Sequence, residues 1–80
     1  MKLAAIKDLA ENRSLSQLQK VEELLCNGEV LPFEVIGSDE GEKLTHVLAA
    51  IDILQRVENE KIDIRSAIRA FSERVRNSIS

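Results

Sequence analysis

Apolar residues recur along this chain every three or four positions, and the rhythm breaks only at a few turn-forming residues. Leu3, Ile6, Leu9 and Ala10 share one side of a helical wheel that turns about 100° per residue, with Lys7, Asp8 and Glu11 on the other. Residues 2–12 therefore read as a short amphipathic helix closed by Asn12 and Arg13. Ser14 followed by Gln17 has the spacing of a capping box, in which each side chain satisfies a backbone amide of the other. A second helix, residues 15–26, follows from it, with Leu15, Leu18, Val21, Leu24 and Leu25 as its apolar stripe and Asn27-Gly28 as its left-handed end.

Residues 29–37 change character: Val30, Leu31, Phe33, Val35 and Ile36 crowd around Pro32 between Gly28 and Gly37. Proline lacks an amide hydrogen and drives the residue before it into extended backbone, so this piece is expected to be extended. Either it packs as an apolar loop over the helices, or it pairs edge to edge with the same segment of a second copy. Asp39, with Glu42 three residues on, caps a third and longest helix reaching to about Glu58. On this helix Leu44, Val47, Leu48, Ile51 and Leu54 form one apolar face and His46, Ala50, Ile53 and Val57 a second, leaving Thr45, Asp52 and Arg56 as a narrow polar strip. A helix apolar around most of its circumference is buried on more than one side, so the second face is expected at the centre of the domain or in a dimer interface. After a turn at Asn59-Glu60-Lys61, Asp63 caps a last helix carrying Ile64, Ala67, Ile68, Phe71, Val75 and Ile79. Ile62, just outside that cap, is placed to staple onto Ala67. The fold class is all-α: one four-helix domain, residues 1–80, with one extended apolar segment between helices 2 and 3.

Composition narrows what such a domain can be. At 44% hydrophobic and 31% charged residues it is a folded chain and not a disordered tail. A domain this small buries roughly 60% of its unfolded surface, and such domains compensate with disulfides, metals or partners. Cys26 is the single cysteine and His46 the single histidine, which leaves self-association as the expected route. No stretch approaches the roughly 20 apolar residues of a membrane span, and the start lacks the apolar core of a signal peptide, so a cytoplasmic location is expected. Residues 1–42 hold nine acids and four bases, whereas residues 43–80 hold five acids and seven bases, which sum to −5 and +2. A net charge of −3 argues against general nucleic-acid binding.

The runs Gly41-Glu42-Lys43-Leu44-Thr45-His46-Val47-Leu48-Ala49-Ala50-Ile51 and Arg74-Val75-Arg76-Asn77-Ser78, together with Leu31-Pro32-Phe33-Glu34-Val35, resemble a family of short uncharacterised bacterial proteins classed only as a domain of unknown function. The resemblance covers most of the chain. It implies a small bacterial cytoplasmic protein and brings no activity or site with it.

Asp39, Glu42 and His46 offer two carboxylates and an imidazole near one face of helix 3, the sharpest candidate for a metal. A di-iron bundle needs two Glu-x-x-His pairs and further glutamates, which a single chain with one histidine supplies only by sharing a site across a dimer. The competing reading has Asp39 and Glu42 capping the helix while His46 packs and hydrogen-bonds. The possible nucleophile and base pair is Cys26 with His46, but Cys26 ends a helix, where the dipole opposes negative charge. Gly28, Gly37 and Gly41 lack the spacing of a phosphate-binding loop. Arg65, Arg69 and Arg76 form a stripe with Ser72 beside the core face of the last helix, while Arg74 lies apart. Three guanidiniums on one face suit phosphates or an acidic partner, but two phenylalanines and no other aromatic residue make no stacking platform for bases. The plainer alternative is that Arg69 pairs with Glu73 and acidic segments of the same chain face the stripe.

The expectation is a non-enzymatic interaction or assembly module without a cofactor, a homodimer or client binder, with His46, Ala50, Ile53, Val57, Arg65, Arg69 and Arg76 as its surface. A nucleic-acid regulator using the arginine stripe is the alternative, and a metal protein with a dimer-shared Asp39, Glu42 and His46 site is the third reading.

Overall fold

A computed structural model describes residues 2–79. The chain is all-α, with α1 Leu3–Asn12, α2 Leu15–Cys26, α3 Glu40–Glu60 and α4 Ile64–Ile79. α3 is the axis: α1, α2 and α4 all pack against it, and α4 also touches α1. The core is Ile6, Leu9 and Ala10 of α1, Leu18 and Val21 of α2, and Val47, Ala49, Ala50, Ile51 and Ile53 of α3, closed by Val35 and Ala67.

Local chemistry starts and stops the helices. The Gln17 amide donates to Ser14 Oγ at 3.2 Å while the Ser14 amide donates to Gln17 Oε1 at 2.9 Å, completing the capping box of α2. At the other end Gly28 takes φ of 70°, and the Glu29 amide reaches back to the Leu24 carbonyl at 2.9 Å. Asp39 caps α3 through the Glu42 amide at 2.7 Å. The Glu42 carboxylate reaches one residue beyond the cap, to the Ser38 amide at 2.9 Å. Asp63 caps α4 through the Ser66 amide at 2.7 Å.

α3 runs two residues past the Glu58 limit expected from its pattern. Arg56 spans its last turns, pairing with Asp52 at 3.4 Å and Glu60 at 3.2 Å, and Lys61, not a glycine, takes the left-handed position with φ of 53°. The segment between α2 and α3 contains no strand among the described residues and lies over the helices as an apolar loop. Val35 is driven into the core, and Leu31 and Phe33 pack against it half-buried. Gly37 passes so close to α3 that a Cβ there would sit 2.7 Å from Lys43 Cγ and 2.9 Å from the Lys43 backbone nitrogen, so no larger residue fits without displacement.

The two faces expected on α3 are redistributed. His46, Ala50 and Ile53 of the second face are wholly enclosed by the chain's own helices and are not on any outer surface; Val57 is half-buried. Leu48 of the first face is instead 46% exposed. The physical reason is that α1, α2 and α4 crowd around the opposite arc of α3 and leave the strip from Gly41 through Leu48 to Gln55 open.

Candidate functional site

His46 is the one buried polar side chain among the described residues, with an exposure of 0%. Its Nε2 accepts the Lys2 amide at 3.0 Å, so Nδ1 carries the ring proton and donates it to the Ile36 carbonyl at 2.7 Å. Both ring nitrogens are thereby committed to backbone groups, one at the start of α1 and one in the segment before α3. Lys2 has no side-chain cap for α1; its carbonyl takes the Ala5 and Ile6 amides, and its own amide is held by His46.

The candidate metal trio is therefore otherwise engaged. Asp39 and Glu42 hold the amides of Glu42 and Ser38, and no lone pair of His46 points toward them. Among the described residues no group of three or more histidines, cysteines and acids is arranged to hold a metal ion. The hydrogen bond from the Ser38 amide holds the Glu42 carboxyl below its ordinary range. Cys26 is exposed at the end of α2, and neither nitrogen of His46 is open to serve it as a base.

The arginines divide as their spacing indicated. Arg65, Arg69 and Arg76 are exposed along α4, whereas Arg74 turns to Asp52 of α3 at 3.0 Å and lies 5.7 Å from the centre of the Phe71 ring. The expected Arg69–Glu73 pair does not form, and among the described residues Arg65, Arg69 and Arg76 make no ion pair within 4.0 Å. At the cap of α4, hydrogen bonds from the Ser66 hydroxyl and amide lower the Asp63 carboxyl, and the charges of Arg65 and Arg69 add to it.

Beside this stripe the apolar face of α4 is incompletely covered. Of its described residues only Ala67 is fully buried, while Ile64, Ile68, Phe71 and Val75 are half-buried. The side chain of Ile79, which continues the series, lies outside the described residues.

Periodicity gave no sign of a second feature. The Arg13 guanidinium lies over the Phe33 ring, 3.9 Å from its centre. With Ser16, Gln17, Lys20 and Pro32 this pair lines a surface groove of about 410 Å³. Its partners are twenty residues apart, and only the rarity of aromatic residues could have drawn attention to Phe33.

Fold and site together define a small all-helical domain whose buried histidine is a structural fastening and whose outward features are α4 and the loop around Phe33. The chain belongs to a family of unknown function, DUF6952, whose model matches residues 1–80. No curated protein and no solved structure matches it.

Proposed function

We propose that this domain is a small non-enzymatic protein-interaction module that holds a partner against the outer side of α4. The observation that carries this reading is the half-covered stripe of Ile64, Ile68, Phe71 and Val75. An amphipathic helix gains its stability by burying such a stripe, and this one is left unfinished. Most of each side chain is already covered, so completing its burial adds about 0.5 kcal/mol, a fraction of the value of full burial. Apolar contact then supplies the affinity, and Arg65, Arg69 and Arg76 set orientation.

Charge selects the partner's chemistry. Two copies of α4 joined antiparallel across a twofold would set arginines against arginines, whereas an acidic segment with an apolar face matches both the stripe and the apolar face. The module would work in the cytoplasm of a bacterium. A nucleic acid is the second reading, favoured by the absence of ion pairs on Arg65, Arg69 and Arg76 among the described residues; the net charge of −3 weighs against it.

Site-specific cross-linking in the native cell tests the proposal. A photoreactive residue in place of Ser72 is expected to yield a discrete adduct with an acidic protein, and one in place of exposed Lys7 none. No adduct at position 72, or the same adduct from both positions, would refute it. Saturable binding of a fluorescent duplex by the purified chain at low salt would favour the second reading.

A further inference from the structure

The loop from Glu29 to Glu34 is a ridge with a groove on each flank, and the two grooves have opposite charge. The 410 Å³ groove contains Arg13 and Lys20 and no acid. The other, of about 280 Å³, contains Glu29, Glu34 and Glu40 against the single cation Lys43. Phe33 lines both, so they lie back to back across the ridge. On the ridge stands Val30, 92% exposed, while Val35, just past its end, is at 2%.

We propose that this ridge is a self-association surface, where two copies of the chain meet across a twofold axis with the basic groove of each against the acidic groove of the other. A twofold interface must be complementary to itself, which requires that matching features lie side by side on one patch. Here a cationic and an anionic groove share a wall. The cations are suited to receive carboxylates. The guanidinium of Arg13 lies over the Phe33 ring, and its fork of N–H donors is suited to a carboxylate. Lys20 has only a 4.0 Å contact with Glu23, both side chains about two-thirds exposed, a pairing of little strength that a partner's acid can displace. Val30 from each copy supplies apolar contact that neither chain makes alone. This surface does not involve α4, so a dimer built on it carries two open α4 faces, and either proposal can fail without the other.

Sedimentation equilibrium of the full chain at low salt tests it, with far-UV circular dichroism to confirm that each variant is folded. Glu29, Lys20 and Val30 are exposed, so substitution there does not enter the core. The wild type is expected to dimerise, and Val30→Asp to weaken the dimer by at least about tenfold. Glu29→Lys and Lys20→Glu should each weaken it similarly, because each sets like charges together twice. Each single variant repels itself but complements the other, so an equimolar mixture should recover a heterodimer, and the double variant K20E/E29K a homodimer. A wild type that stays monomeric at high micromolar concentration overturns the proposal. So does a dimer indifferent to Val30→Asp, or a mixture that shows no recovery.

Discussion

Nε2 of His46 receives the Lys2 amide and Nδ1 serves the Ile36 carbonyl, so one side chain of α3 fixes both the start of α1 and the end of the apolar loop. Replacing it with alanine opens a cavity and orphans two backbone groups. His46→Ala is expected to cost about 3 kcal/mol in urea unfolding, and a loss below about 1 kcal/mol would show that the ring is not a fastening. Glu42 is felt through pH. Its carboxyl is held below the ordinary 4.5 by the Ser38 amide, so its stabilisation is present above that value and disappears as pH falls through the lower value of the folded state. Asp63 adds to the same acid-side loss, below its ordinary 3.8. Unfolding midpoints followed downward from about pH 5 should therefore fall less steeply in Glu42→Gln than in the wild type. Parallel acid profiles would contradict this assignment. That His46 packs and hydrogen-bonds was legible from its place among apolar residues. Its partners were not, because Lys2 lies forty-four residues away and only folding brings it near.

At the scale of elements, what was legible is what is local. Ser14 with Gln17, Asp39 with Glu42, and Asp63 mark helix starts because a cap and its amide lie within one turn, and all three are formed. Asn27-Gly28 likewise ends α2 as its residue types indicate. The end of α3 escaped because Arg56, Asp52 and Glu60 support two further residues and Lys61 accepts a left-handed backbone. Which side of α3 faces inward escaped for another reason: the helix is apolar almost all round, so the arrangement of α1, α2 and α4 decides. Leu48 and Ile53 look equivalent in the pattern and are opposite in the fold. Ile53→Ala should cost about 3–4 kcal/mol and Leu48→Ala less than about 1, measured by chemical denaturation. Equal costs would mean that α3 is enclosed differently.

For the whole molecule, the dimer expected through the second face of α3 gives way to a chain that covers that face itself and leaves two other surfaces outward. The core is continuous from α1 through α2 and α3; from α4 it takes Ala67 fully buried, with Ile64, Ile68 and Phe71 packed against it partly exposed. No described helix is long and apolar enough to cross a membrane, and the exposed apolar side chains are local patches. α4 thus combines an arginine stripe with a partly covered apolar face. Amide hydrogen exchange of the purified full chain tests most directly whether α3 is the enclosed axis and α4 the open face. The amides of His46–Ile53 should exchange slowest, and those of residues 68–76 at least about tenfold faster, through local opening of α4. Protection of α4 equal to that of α3 would contradict the account.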